Sequence, residues 1–298
     1  MATASTPRTA RTRAPKAPAP LTESQMREFF ALVKGADSVE LKLTVPGDDH
    51  RAAIQALGMD PLNAQIRQVY FYDTPDLTLN AAGLVVRSRR IQGKGGDTVV
   101  KLRPVQPDEL SRELRKNPSV NVEVDAMPGG FVCSASFKGV TGINDPREVA
   151  AGNATIKSLF SKDQRMFYRE HAPEGLDMND LLVLGPITLL KGKFTLPDFD
   201  RPMVAELWLY PDGSRILELS TKTLPNEAWQ KAAEARLALG GRGVTLTGEQ
   251  QTKTKTALEF FAALAKEHAA EAAAAAAPKP AAAPKAAGSA RRKAPARG

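Results

Sequence analysis

The sequence predicts an α+β protein built around one large antiparallel sheet or barrel. Three observations support this: strand-like alternation recurs along the chain, tight-turn sequences join some strands, and helical patterns lie at both ends. The 298 residues, 42% of them hydrophobic, are enough to bury a core. Cys133 is the only cysteine, so an intrachain disulfide is impossible and a reducing compartment fits.

The net charge of +8 is concentrated at the two ends of the chain. Residues 1–20 carry four basic residues, 278–298 carry six, and neither segment contains an acid, so 21–277 has a net charge of −2. We expect 1–20 and 272–298 to be disordered tails around a folded domain at 21–271, because their composition buries little surface. The tails either contact nucleic acid or another polyanion weakly, or act only as solubilising extensions.

Membrane contact is not expected from this sequence. No apolar stretch approaches the roughly 20 residues that a membrane-spanning helix needs. The basic N-terminal residues are not followed by an apolar segment, so we expect no secretory signal and a cytoplasmic location.

The first half of the domain is predicted to contain two helices and five strands. Thr22 and Gln25 have capping-box spacing at the start of a helix over 22–34, and Asp48 can cap a second helix that Gly58 ends. Strand patterns lie at 38–45, 65–73, 84–91, 98–103 and 120–126. The turn sequence GKGG at 93–96 joins the third and fourth strands into a hairpin.

The second half is predicted to contain four further strands and three helices. A helix is expected over 146–160, followed by strands at 164–170, 187–195, 203–210 and 215–222. The turn PDG at 211–213 makes the last two strands a hairpin. Two helices close the domain, one over 225–239 and one from Glu249 into the alanine run.

Charged residues follow one face of six strands, because side chains two residues apart share a face. The charged pairs are Glu40 with Lys42, Arg87 with Arg89, Lys101 with Arg103, Glu123 with Asp125, Lys191 with Lys193, and Glu218 with Lys222. Basic pairs gather on some strands and carboxylates on others, which suits a polyanion held beside a divalent metal. The pattern alone leaves open whether these faces point to water or into a barrel.

These segments resemble the CYTH family, also called triphosphate tunnel metalloenzymes. The specific part is VYFYDTPDLTLNAAGLVVRSRR at 69–90, where an aromatic–Asp–Thr run leads to a glycine and paired arginines. Weaker likenesses are VELKLTV at 39–45, DTVVKLRP at 97–104, LELSTK at 217–222 and QQTKTKTALEFF at 250–261. The family includes thiamine triphosphatases, inorganic triphosphatases and class IV adenylate cyclases.

The resemblance implies an eight-stranded antiparallel tunnel, with helices packed outside, that binds a triphosphorylated small molecule or polyphosphate. The phosphate-binding candidates that it implies are Lys42, Arg87, Arg89, Lys101, Arg103, Lys191, Lys193 and Lys253. It implies Mg²⁺ or Mn²⁺ as the metal, with ligand candidates Glu40, Glu123, Glu206 and Glu218. Arginine forks pair with phosphate oxygens, and a hard cation prefers carboxylate oxygens. No catalytic residue is assigned.

Two positions depart from the family pattern. Ser38 and Ser220 stand where the resemblance implies glutamates. The tunnel therefore has fewer carboxylates for a metal than the family pattern, whereas the basic candidates for phosphate binding are all present. Two functions therefore remain open: a metal-dependent triphosphatase with a weakened metal site, and a non-catalytic module that binds a polyanion. A structural β-domain with solvated charges is the third alternative, and adenylate cyclase activity is a fourth that no residue pattern supports directly.

Overall fold

The computed structural model describes residues 22–246 and 252–276, with side chains as far as residue 273. The predicted N-terminal tail at 1–20, most of the predicted C-terminal tail and the predicted helix start at Glu249 lie outside the described residues.

In the described part of the chain, nine strands form a closed barrel. They are β1 Ser38–Val45, β2 Gln65–Asp73, β3 Leu84–Ile91, β4 Gly96–Leu102, β5 Val120–Met127, β6 Gly130–Thr141, β7 Leu182–Leu196, β8 Phe199–Leu209 and β9 Arg215–Thr223. Their order around the barrel is β1-β5-β6-β4-β3-β2-β7-β8-β9, and β9 pairs back onto β1.

The prediction of eight purely antiparallel strands is therefore wrong in two respects. The barrel has nine strands, and β1 pairs with β5 in parallel through Ser38, Val39, Glu40 and Leu41, whereas the other neighbours are antiparallel. The two errors have one geometric cause. Strands that alternate in direction around a closed ring must be even in number, so a ring of nine requires a parallel pair.

The errors in element prediction include strand β6 and two helices. The helix predicted over 146–160 is wrong beyond Ala150, where the α-helix Asp145–Ala150 ends. The sequence of β6, GFVCSASFKGVT, is rich in small residues and lacks a paired charged stripe, so it was not predicted as a strand. The predicted strand at 164–170 belongs to a helix, Lys162–His171, in which Gln164, Phe167 and Tyr168 are buried at helical spacing. Ser161 and Gln164 form a capping box at its start.

Most helices cover the outside of the barrel. The described residues contain α1 Glu23–Gly35, α2 His50–Ala56, α3 Thr78–Ala81, α4 Arg112–Lys116, α5 Asp145–Ala150, α6 Lys162–His171, α7 Ala228–Gly240 and α8 Lys253–Ala276. The predicted capping box of Thr22 and Gln25 is present in α1, whereas α2 begins after Asp49 with no side-chain cap. None of the described helices is long and apolar enough to cross a membrane.

The outward side chains of the strands form the core under these helices. Phe29 of α1 packs with Val122 and Val124 of β5. Most alternate side chains of the strands are polar or charged. The exception is an apolar part of the inner face, where α8 packs Leu258 and Phe261 against residues such as Phe71, the cross-strand partner of Arg87. Because burying the apolar set under helices uses the outer face, the charged set is directed into the barrel.

Candidate functional site: a charged tunnel

The interior of the barrel holds a cavity of about 280 Å³ lined by charged side chains. The charged stripes therefore face inward, which settles the alternative that the sequence left open. The basic residues that line the cavity are Lys42, Arg67, Arg87, Arg89, Lys101, Arg103, Lys138, Lys191, Lys222 and Lys253. The acidic ones are Glu40, Asp97, Glu123, Asp125 and Glu206. Ten cations against five carboxylates leave the cavity with a positive excess suited to a polyanion.

Strand β3 contributes two arginines in different states. Arg89 donates to both carboxylate oxygens of Asp97, at 2.8 and 2.6 Å. Burial opposes the charge of Arg89, but these bonds outweigh it and raise its pKa. Arg87 has a buried Nε with no hydrogen-bond partner among the described residues, and burial together with the charge of Arg89 lowers its pKa to about 10. Arg87 is thus charged at neutral pH and has donor capacity to spare.

A second group of cations surrounds Asp125 on β5. Its carboxylate lies 2.8 Å from Lys42 Nζ, 3.7 Å from Arg103 Nη1 and 3.8 Å from Lys101 Nζ. Burial opposes the charge of Asp125, but Lys101, Lys42 and Arg103 outweigh it and hold its pKa well below the usual range. Burial lowers the pKa of Lys101 to about 8, although Asp125 opposes that shift. Lys101 therefore changes charge close to physiological pH.

Three carboxylates meet beside this group. One oxygen from each of Glu40, Glu123 and Asp125 lies within 4.8 Å of the others. The strand register explains the meeting, because Asp125 and Glu40 are direct partners across the parallel β1–β5 pair. Ser38 Oγ donates to Glu123 Oε2 at 3.0 Å, and Lys222 Nζ contacts the same oxygen. Clustered carboxylate oxygens fit a hard divalent cation, so these three residues could hold a metal.

Two other predicted metal ligands lie elsewhere in the barrel. Glu206 on β8 and Glu218 on β9 are direct cross-strand partners, and neither belongs to the three-carboxylate cluster. Lys253, the first residue of α8, bridges them. Lys191 Nζ reaches the other oxygen of Glu206 at 3.1 Å.

The structure brings together most of the residues predicted from sequence. Of the eight phosphate-binding candidates, Lys193 alone does not line the cavity: it is exposed, close to the end of β7. Of the four metal candidates, Glu40 and Glu123 join the cluster, Glu206 lines the cavity and Glu218 adjoins it through Lys253.

Sequence reasoning missed several cavity residues. Asp125 belonged to a recognised charged pair and could have been included with Glu123 in the acidic set. Arg67 stands alone on the inward face of its strand, so no pair marked it. Lys138 lies on β6, which was not predicted, and Lys222 was noted in a stripe without a role.

Solved structures with the same fold were found, although the chain matches no protein-family model and no curated protein. A candidate adenylate cyclase from Bacillus halodurans has a TM-score of 0.52 and 10% identity, over 74% of this chain and 97% of that one. A candidate adenylyl cyclase from Hippeastrum, whose dominant activity is that of a triphosphatase, has a TM-score of 0.52 and 18% identity, over 72% and 92% of the two chains.

These likenesses, together with the closed barrel, show that the chain has a CYTH-like tunnel fold, as the sequence resemblance predicted. At this level of identity the likeness concerns the fold. The chemistry of the tunnel depends on its own side chains.

Proposed function

We propose that the tunnel binds the triphosphate group of a small molecule, or the end of a polyphosphate chain. The observation that carries the proposal is the cavity itself, with ten basic and five acidic side chains inside the barrel. Buried cations in such excess repel one another, and an anion with several charges relieves that repulsion. The dominant triphosphatase activity of the Hippeastrum protein, which shares the fold, supports the same class of ligand.

The basic residues have separable roles in this proposal. Arg87 offers the free donor capacity of a planar guanidinium, which matches phosphate oxygens in two-bond geometry. Arg89 is held in place by Asp97, which takes two of its five N–H donors, so the others remain for a ligand in the cavity that Arg89 lines. Lys101 and Arg103 stand 3.8 and 3.7 Å from Asp125, too far for short bonds, so their charges remain available to a ligand.

A divalent cation such as Mg²⁺ or Mn²⁺ would be held by Glu40, Glu123 and Asp125. When bound there, it would neutralise phosphate charge and polarise a phosphoryl oxygen. The residues themselves orient the site: Lys42 lies 3.2 Å from Glu40 and 2.8 Å from Asp125, and Ser38 fixes Glu123 by a hydrogen bond.

Hydrolysis of the phosphoanhydride bond is the second candidate function, favoured by the three-carboxylate cluster. The alternative, a non-catalytic polyanion-binding module, is favoured by the lysines that already contact Glu123, Glu206 and Glu218. The basic tails would add a weak contact with nucleic acid or another polyanion, which belongs to the same proposal.

Calorimetric titration separates these functions. Tripolyphosphate, thiamine triphosphate and ATP are titrated into the protein in chelator and again with Mg²⁺ or Mn²⁺, and phosphate release is followed in parallel. The proposal expects saturable binding of at least one triphosphate. Metal-dependent phosphate release would establish hydrolysis, and binding in chelator without release would establish the binding module. Absence of binding under every condition would refute the proposal.

A further inference from the structure

Two glutamates face each other inside the barrel wall with little access to water. Glu206 and Glu218 are direct partners across the antiparallel β8–β9 pair, and their exposed fractions are 8% and 6%. Like charges directly opposite on neighbouring strands destabilise a sheet, and burial increases the cost. If both remain ionised, this position in the barrel therefore requires a cation between the two carboxylates.

Lys253 supplies that cation. Its Nζ lies 2.7 Å from Glu218 Oε1 and in contact with Glu206 Oε2, and 5.3 Å from the centre of the Trp208 ring. Trp208 Nε1 also donates to Glu206 at 3.3 Å. Burial opposes the charge of Lys253, but the two glutamates outweigh it and raise its pKa, and the cations beside Glu206 lower that of Glu206 despite burial.

The position of Lys253 in the chain places its ammonium between the two glutamates. It is the first residue of α8, and the next turn of that helix packs Ala257, Leu258 and Phe261 into an apolar cluster on the inward face of the strands, which includes Trp208. The packing of α8 therefore holds the backbone of Lys253, and the carboxylates of Glu206 and Glu218 hold its ammonium. Two of its three N–H donors are already used, unlike the free Nε of Arg87.

We propose that the ammonium of Lys253 occupies the place of a divalent cation between Glu206 and Glu218. Lys42 also lies between two carboxylates, those of Glu40 and Asp125, but Glu123 adds a third carboxylate there, so that cluster is the metal position left in the tunnel. Lys253 is then a built-in counter-ion, and neither a phosphate ligand nor a neighbour of a second metal. Lys253 lies in the tunnel to which the proposed function assigns phosphate binding, but its role is tested without phosphate. Either proposal can therefore fail while the other stands.

The test counts bound Mn²⁺ from the electron paramagnetic resonance signal of the free ion, without any phosphate. Lys253→Ala removes the ammonium and leaves two buried carboxylates, so the variant should bind one more Mn²⁺ than the wild type. Lys253→Arg keeps a cation and should bind the wild-type number. Lys138→Ala is the matched control, because Lys138 lines the same cavity and makes no ion pair within the described residues. Adding Glu218→Gln to Lys253→Ala should remove the extra ion.

A folded Lys253→Ala protein that binds the wild-type number of Mn²⁺ ions would overturn the proposal. If Lys253→Ala is unfolded in chelator, recovery of its folded state is followed while Mn²⁺ is added. Recovery of the folded state by Mn²⁺, absent in the double variant with Glu218→Gln, supports the built-in counter-ion. An unfolded state that Mn²⁺ does not rescue overturns it.

Discussion

Replacing Asp125 with asparagine removes the carboxylate around which the basic side chains of the tunnel are arranged. Its side chain is 1% exposed, and three cations lie within 3.8 Å of it. The asparagine side chain would keep the volume but leave Lys42, Lys101 and Arg103 without their common anion. Breaking a buried ion pair by removing one partner costs about 3–5 kcal/mol, because the other charge remains buried and uncompensated. We expect Asp125→Asn to lower the free energy of unfolding at pH 7 by that amount.

The pH dependence of this loss has a defined sign. The folded-state pKa of Asp125 is held below its value in the unfolded chain, so its stabilising contribution is present above the unfolded pKa of about 3.9 and is lost as the pH falls through the folded pKa. The difference between wild type and Asp125→Asn should therefore be constant near neutrality and shrink below about pH 4.

Urea denaturation followed by circular dichroism measures the difference, and Asp97→Asn is the matched control. Asp97 also pairs with a tunnel arginine, but its side chain is 24% exposed, so water compensates part of the lost charge and the effect should be smaller. Tripolyphosphate should raise the melting temperature of Asp125→Asn more than that of wild type, because the ligand restores negative charge beside the three cations. A loss below about 1 kcal/mol, the range of exposed pairs, would refute the buried-anion argument.

Three further predictions concern binding. Arg87→Ala should weaken tripolyphosphate binding by about 1.5–3 kcal/mol, the range for hydrogen bonds to charged groups, measured by calorimetry; Lys193→Ala, outside the cavity, should leave it unchanged. The affinity for tripolyphosphate should fall as the pH rises past about 8, because Lys101 loses its proton. This fall should be smaller in Lys101→Met. An equal pH dependence of affinity in both proteins would contradict the role given to Lys101. Ser38→Glu should tighten Mn²⁺ binding in the phosphate-free protein, since it adds a carboxylate beside Glu123; unchanged affinity in a folded variant would mean that the metal position lies elsewhere.

The charged face of the barrel could be predicted from sequence because it depends on a local rule. Residues two apart share a face, so Arg87 with Arg89 and Lys101 with Arg103 were correctly placed together. The direction of that face could not be derived from alternation, since a half-buried sheet with charges in water has the same pattern. Only the arrangement of helices around the barrel decides it.

Long-range pairing could not be read from the sequence. Lys222 and Glu123 are 99 residues apart, and Lys253 and Glu218 are 35 apart, yet each pair is in contact because β1, β5, β8 and β9 close the barrel. Strand β6 escaped prediction because its alternation is between small residues such as Ser134 and Ala135, whose polarity differs little. The number of eight strands came from the family resemblance. Alternation predicted nine strands, but it placed one at 164–170, where the structure has a helix, and none at β6, so the parallel pair was also missed.

The central claim is that the tunnel, and not the basic tails, holds the polyphosphate ligand. It is tested most directly by titrating tripolyphosphate calorimetrically into two full-length variants that each lose two positive charges. Arg87→Ala with Lys101→Met removes charges from the cavity, and Arg291→Ala with Arg292→Ala removes them from the C-terminal tail. The account predicts that the first variant loses at least tenfold in affinity and the second binds as the wild type does. Loss in the tail variant with full binding by the tunnel variant would contradict it.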